Sequence, residues 1–351
     1  MGRVAPNSLI PRAEPVVPTD FRAQFLQTYQ HMLLSRVLEE KLGALYRAGG
    51  RIVGGVYLGK GQEAFSAALG AQLQKGKDLY GPLIRDQAGR IAFGEPVLDC
   101  VRTYLGAVTG PMRGRDGNIH RGRPRDGYMA MISHLGSLLS VVAGGLFAKR
   151  LAGKLHDAIG ATSIGDGGTS TGAFHEGLNM AAVEKLPLIV SVANNQYAYS
   201  TPNSRQYACE NLVDRAAGYG ITGVSVDATD LGACLEVFRA AVQRARSGGG
   251  PQMIVGTLLR LAGHGEHDDA SYVPDLARKG PLSGDCLGIA ERRIIDEAWM
   301  SERDLKELLT ESRNKVDQAV AKVSKEPTPD PFKDNWQALS CADLVEGQHE
   351  A

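Results

Sequence analysis

Two oxygen-bearing side chains follow two apolar runs in this 351-residue sequence. Asp166, in Gly165-Asp166-Gly167, comes after a short run ending at Ile164. Asn195, in Asn194-Asn195, comes after the run from Leu188 to Ala193, with 26 residues between GDG and the Asn pair. Neighbouring strands of a parallel sheet finish at the same edge, where ligands bind. On that arrangement Asp166 and Asn195 lie side by side although 29 positions apart. Each offers a hard oxygen to one ion. Mg2+ takes oxygen ligands at about 2.0–2.1 Å and commonly shares its shell with phosphate oxygens and water. One carboxylate, one amide oxygen and the backbone carbonyl of Tyr197 leave room for a diphosphate. Glycines let the backbone approach such a group, and the helix expected after Gly172 aims its N-terminus at it. The competing structural reading makes Asp166 a strand-end cap and Asn195 a turn amide. A dinucleotide loop fits poorly, because GDGGTSTG lacks the GxGxxG order and no acidic residue stands about 20 positions on.

The elements that must position these groups follow from periodicity. Helical spacing of apolar residues predicts a helix over 21–48, with Thr19 or Asp20 as its cap and Gly49-Gly50 as its stop. Further helices are expected over 62–74 and 96–109. A small-residue helix over 137–152 leads to the strand before Gly165, and helices over about 172–185 and 230–246 separate later strands at Leu188–Ala193, Val224–Val226 and Met253–Val255. Strand and helix in alternation mean a mostly parallel sheet with helices on both faces. Residues 286–324 read as two helices, with Ser301 and Asp304 forming a capping box. The stretch 110–127 holds five arginines and five glycines and is a loop. It is either a solvated connection or a segment that reaches an anion. The expected organisation is a disordered arm over 1–20, an α/β domain over 21–284, and a helical C-terminal extension and tail over 285–351.

Composition narrows the function. Lys plus Arg and Asp plus Glu number 39 each, so net charge is zero and nothing electrostatic favours nucleic acid or a membrane surface. Five cysteines form no disulfide framework, and no apolar run is long enough to span a bilayer. Glycine, at 43 residues, is well above the usual share of about 7%.

The segment GDGGTSTGAFHEGLNMAAVEKLPLIVSVANNQYAYST resembles the α subunit of the thiamin-diphosphate-dependent 2-oxo acid dehydrogenases, the E1 components of the pyruvate and branched-chain complexes. The resemblance covers about residues 21–330 and is most specific over 165–201. It implies a thiamin-diphosphate-binding α/β fold. It matches Asp166, Asn195 and the Tyr197 carbonyl to Mg2+ ligands, and Gly165, Gly167 and Gly168 to the loop against the diphosphate. Arg85 matches an arginine that reaches the diphosphate, and Ser133 and Leu135 match backbone contacts to the aminopyrimidine. His264 matches a catalytic histidine beside the reacting end of the cofactor, in a loop shared with Arg260, Asp268 and Asp269. Its imidazole is expected to switch charge near pH 6–7, although with His267 it also makes a partial zinc pattern. His120 matches a loop histidine of less certain duty. Glu63 is read as structural, because the family's activating glutamate comes from the other subunit.

Six positions, at four sites, depart from the family. Ile84 stands where a tyrosine is usual. Ala193 stands where branched-chain enzymes carry arginine. Ile132, His134 and Leu138 give no support for a monovalent-cation shell. Gly265 leaves no hydroxyl at the phosphorylated position of animal enzymes. The resemblance implies an oxidoreductase acting on a 2-oxo acid with a disulfide acceptor: oxidative decarboxylation of a branched-chain 2-oxo acid or pyruvate, with the acyl group passed to the lipoyl group of an acyltransferase (E2). It further implies an α2β2 heterotetramer with a β subunit, and a cytoplasmic location, or the mitochondrial matrix in a eukaryote. The alternatives are an acetoin dehydrogenase α subunit and a catalytically degenerate scaffold or regulatory subunit.

Overall fold

The computed structural model describes residues 20–116 and 119–334. The expected arm, apart from Asp20, and residues 335–351 of the expected tail lie outside them. In chain order the elements are helices α1 (Phe21–Arg47) and α2 (Glu63–Gly70), strand β1 (Leu79–Gly81), helices α3 (Gln87–Phe93), α4 (Val97–Tyr104) and α5 (Ser137–Leu151), and strand β2 (Gly160–Gly165). Helix α6 (Gly172–Val183) follows, then strands β3 (Leu188–Asn194), β4 (Tyr197–Ala198) and β5 (Thr201–Pro202), helix α7 (Arg215–Gly218), strand β6 (Thr222–Asp227), helix α8 (Leu231–Arg246) and strand β7 (Gln252–Thr257). Helices α9 (Asp275–Arg278), α10 (Cys286–Asp296) and α11 (Glu302–Val323) end the described chain.

Five strands make one parallel sheet in the order β1-β2-β3-β7-β6. The pair β4 and β5 is a separate antiparallel hairpin. Strand β3 is buried along its whole length. Its alternate residues face opposite layers: Leu188, Val190 and Val192 pack with α5 and α6, whereas Ile189 and Ala193 pack with α1, α2 and α8. A strand covered on both faces reads as a continuous apolar run, which is why LIVSVA is so conspicuous. Helices α4 and α11 share a further apolar cluster with α1 through Leu38, Leu42, Val101, Tyr104, Val316 and Val320. No helix among the described residues is long and apolar enough to cross a membrane.

Local signals placed several elements well. The Asp20 side chain accepts from the Ala23 N–H at the start of α1, and Gly49 and Gly50 adopt positive φ just past its end. Ser301 and Asp304 form the reciprocal capping box of α11. Other expectations are corrected. The helix expected over 62–74 stops at Gly70, and the one expected over 96–109 stops at Tyr104. Strand β1 and helix α3 carry no clear periodicity in the sequence, being three and seven residues long.

Two arginines of the arginine-rich loop are committed to carboxylates of the protein itself. Arg121 is fully buried and donates to Glu95 Oε1 at 2.5 Å, and Arg123 pairs with Asp99 at 2.6 Å. The loop is stapled to the α3–α4 connection by the buried Arg121–Glu95 pair and to α4 by the half-exposed Arg123–Asp99 pair. Breaking one partner of a buried pair strands the other, at about 3–5 kcal/mol, whereas an exposed pair contributes about 0–1 kcal/mol. Glu95→Ala is therefore expected to lower the stability measured by denaturant unfolding by about 3 kcal/mol or more. Arg303→Ala, at the exposed Arg303–Glu307 pair, should change it by less than about 0.5 kcal/mol. Equal losses for the two would contradict the burial argument.

Candidate functional site

The register of the sheet assembles the site. Strands β2 and β3 run parallel with Gly165 opposite Ala193, so the chain leaves both strands at the same edge. The Ala193 carbonyl accepts from the Asp166 N–H at 3.2 Å and from the Asn195 N–H at 3.0 Å. One peptide oxygen thus pins the two turns together. Asp166, Asn195 and Tyr197 all line a cavity of about 390 Å³, with Gly165, Gly167, Gly168, Arg85, Leu135, Arg260 and His264 in the same wall.

Glycine is required where the backbone is close to other groups. A Cβ on Gly167 would lie 2.3 Å from the Ala198 Cβ, and one on Gly168 would lie 2.6 Å from Ile164 Cγ1. At Gly165 a Cβ would meet no atom within 4 Å, so the missing side chain there leaves open space. Residues Gly167–Ser170 form a 3-10 turn, and Thr171 caps α6, its hydroxyl accepting from the Phe174 N–H. This turn, rather than the first turn of α6, lines the cavity.

Three observations bear on what the cavity can hold. First, Asn195 Oδ1 is buried and has no hydrogen-bond partner. A buried unpaired carbonyl costs stability unless a ligand meets it. Second, Asp166 is 2% exposed, and burial raises its carboxyl pKa even though Gln206 Nε2 donates to Oδ2 at 2.8 Å. A cation beside it would reverse that direction. Third, Arg85 and Arg260 are 9% and 6% exposed, and neither meets a carboxylate within 4 Å among the described residues. Arg85 donates to the carbonyls of Leu58 and His264, and Arg260 to those of Ala262, Tyr197 and Tyr199. Burial and the neighbouring Arg260 push the Arg85 guanidinium down to about 10. Two buried cations that no carboxylate touches directly suit a multiply charged anion. An oxygen-donor cation site next to an anion cradle fits magnesium and a diphosphate together. No group of three His, Cys, Asp or Glu among the described residues could hold a metal elsewhere.

His264 sits at the cavity beside two phenols, its ring centroid 4.4 Å from that of Tyr199 and 5.4 Å from that of Tyr57. Its loop is held by Asp268, whose Oδ2 accepts from the His264 N–H at 2.5 Å and the Tyr272 hydroxyl at 2.6 Å. Burial, then Arg85 and Arg260, lower the imidazole to about 4. The expected switch near pH 6–7 is therefore corrected for the cofactor-free chain: the ring is neutral there. Arg85 Nη2 stands 3.4 Å from Nδ1. A guanidinium can only donate, so the ring proton belongs on Nε2.

The remaining expected residues divide. Leu135 is 49% exposed and lines the cavity. Ser133 does not line it; its hydroxyl lies 2.7 Å from His120 Nε2, while His120 Nδ1 lies 2.6 Å from Asp116. Glu63 is buried against Arg36 and accepts from the Gly61 N–H at 2.7 Å. Ile84 and Ala193 both line the cavity as aliphatic groups, and Arg260 supplies a second guanidinium. Sequence reasoning missed Gln62, Tyr57, Tyr199, Tyr272 and Gln206, which come from loops with no motif. The positive φ of Tyr199, 54°, leaves no trace in its residue type.

A family model described as dehydrogenase E1 component matches residues 29–332. The acetoin:2,6-dichlorophenolindophenol oxidoreductase α subunit of Cupriavidus necator is 32% identical over 320 residues, 90% of this chain and 93% of that one. The pyruvate dehydrogenase E1 α subunit of Rhizobium meliloti is 32% identical over 307 residues, 87% of each chain. The 2-oxoisovalerate dehydrogenase α subunit of Bacillus subtilis is 36% identical over 249 residues, 70% of this chain and 73% of that one.

The His264 environment has a measurable sign. Its folded pKa, about 4, lies below the ordinary 6.5, so the unfolded chain binds the proton more tightly between those values. Stability should fall as pH drops from about 6.5 towards 4, and His264→Gln should flatten that part of the profile. In an NMR titration of the imidazole, a midpoint near 6.5 would contradict the proposed influence of the two arginines.

Proposed function

Since the chain belongs to the dehydrogenase E1 component family, we propose that it works as the α subunit of a 2-oxo acid dehydrogenase, holding the diphosphate and the metal ion of thiamin diphosphate. The observation that carries this is the unpartnered, buried Asn195 Oδ1 beside Asp166, in a cavity with two guanidiniums that have no carboxylate. Asp166, Asn195 and the Tyr197 carbonyl hold Mg2+. Gly165, Gly167, Gly168 and Arg85 hold the diphosphate, with Arg260 adding charge. Leu135 and the backbone near Ser133 meet the aminopyrimidine.

Thiamin diphosphate, when bound, supplies the carbon nucleophile and the electron sink for decarboxylating a 2-oxo acid. The chain contributes position and electrostatics. His264 is the catalytic residue. Its neutral imidazole donates from Nε2 to oxygen that gains charge on the substrate, so no protonated ring is needed. Arg85 holds Nδ1 as the acceptor side and fixes that tautomer. The tilted Tyr199 ring and the edge-on Tyr57 ring restrict water around it.

The carboxylates lining the cavity, Asp86 and Asp166, include no glutamate, and Glu63 is committed to Arg36. This supports a partner β subunit as the source of the activating glutamate and an α2β2 assembly with a lipoylated acyltransferase as acceptor. Branched-chain 2-oxo acids and pyruvate are the proposed substrates. Acetoin is the second reading, favoured by the Cupriavidus relative, whose similarity spans 90% of this chain. A reducing, cytoplasmic location agrees with four free thiols among the described residues.

Dye reduction by the complex reconstituted with its β subunit, over a panel of pyruvate, branched-chain 2-oxo acids and acetoin, tests the substrate. Activity with a 2-oxo acid is expected, and activity with acetoin alone would replace the reading. Without the partner, the chain should show no decarboxylation; robust turnover by the isolated chain overturns the two-subunit proposal. Asp166→Ala should abolish Mg2+-dependent binding of thiamin diphosphate in calorimetry while leaving the melting transition intact. Normal affinity in that variant would remove Asp166 from the ligand set.

A further inference from the structure

Asp166 is gripped from behind by side chains that neither the metal site nor the diphosphate cradle uses. Gln206, 40 positions on, donates from Nε2 to Asp166 Oδ2 at 2.8 Å. The same nitrogen lies 2.9 Å from the Thr201 carbonyl. Thr201 pairs with Ala198, and Tyr197 pairs with Pro202, in the β4–β5 hairpin. One amide nitrogen therefore bridges the Asp166 carboxylate and the hairpin that carries the Tyr197 carbonyl. The Gln206 carbonyl in turn accepts from Ser170 Oγ at 2.9 Å, at the end of the Gly167–Ser170 turn. Asn203, with its amide nitrogen towards Asp166, adds a second donor to the same Oδ2 at 2.7 Å and accepts from the Tyr207 hydroxyl at 2.9 Å.

Both donors are neutral, and this decides what the grip can do. A lysine or arginine here would orient the carboxylate but offset its charge, competing with a cation in a low-dielectric cavity. Two amides orient Oδ2 and leave the negative charge in place. The backbone N–H groups of Gly167 and Asp166 also help hold the charge of this carboxylate. Gln206 makes this contact while its own Oε1 is buried without a partner, an arrangement that serves Asp166 and not the satisfaction of Gln206.

We infer that Gln206 is a positioning residue of the cation site: its amide clamps one Asp166 oxygen and locks that carboxylate in register with the Tyr197 hairpin. This rests on the proposed reading of Asp166, Asn195 and Tyr197 as cation ligands. Partners behind a metal ligand typically account for 10–100-fold in metal affinity. Gln206→Ala and the near-isosteric Gln206→Met, each in complex with the β subunit, are titrated with Mg2+ at fixed thiamin diphosphate. Cofactor binding is followed by calorimetry, and melting is recorded without Mg2+ or cofactor. The Mg2+ half-saturation point should rise by about 10–100-fold in both variants. Saturating Mg2+ should restore cofactor affinity, and the metal-free melting temperature should hold. Should one variant fail to fold, the other decides. An unchanged half-saturation point in a folded variant overturns the inference, and so does a loss of cofactor binding that no Mg2+ concentration recovers. If wild-type complex shows no Mg2+-dependent cofactor binding, the underlying ligand assignment falls instead.

Discussion

The whole site depends on one backbone carbonyl. Ala193 is the residue at which β3 is about to leave the sheet, and its oxygen accepts from both Asp166 and Asn195. Because β2 and β3 are parallel, their ends coincide; because β3 is buried on both faces, its register cannot slip without turning an apolar set into the wrong layer. Packing of Leu188, Val190 and Val192 on one side and Ile189 on the other therefore determines where a carboxylate and an amide meet. Binding geometry here is a consequence of core packing, carried to the sheet edge by hydrogen bonds.

Electrostatics then select what can occupy the edge. The cavity buries two guanidiniums without carboxylate partners, one carboxylate held by amides, an unpaired amide oxygen and an imidazole kept neutral. The buried charges and the unpaired amide oxygen are each unfavourable without partners, and they become mutually compatible with an anion and a hard cation together. Arg85 connects the halves of the site. It lies beside the proposed diphosphate position and also beside His264 Nδ1, so the group proposed to bind the anion also biases the tautomer and charge of the histidine.

Much of this was legible from residue order. The GDG and Asn-Asn segments close strongly apolar strands, and a buried parallel strand is among the clearest patterns a sequence carries. Asp20, Gly49 and the Ser301–Asp304 box act within one turn of themselves, so their effect shows locally. What escaped depends on long-range placement. Strand β1 and helix α3 are too short for a period to register. Arg121 looked like a surface residue of a polar loop, yet its charge is matched by Glu95, 26 positions away. The depressed pKa of His264 comes from Arg85 and from burial, neither of which is adjacent in sequence. Gln206 and Asn203 lie in a stretch without apolar periodicity, and only the return of the β4–β5 hairpin brings them against Asp166.

The central claim is that Asp166 and Asn195 share one phosphate-bound divalent cation. It is tested most directly by locating Mn2+ from its anomalous scattering in crystals of the α–β complex grown with thiamin diphosphate. The account predicts a single peak within coordination distance, roughly 2.0–2.3 Å, of an Asp166 carboxylate oxygen, Asn195 Oδ1 and the Tyr197 carbonyl oxygen. A peak held by other residues, or an Asn195 amide turned away from the ion, would contradict it.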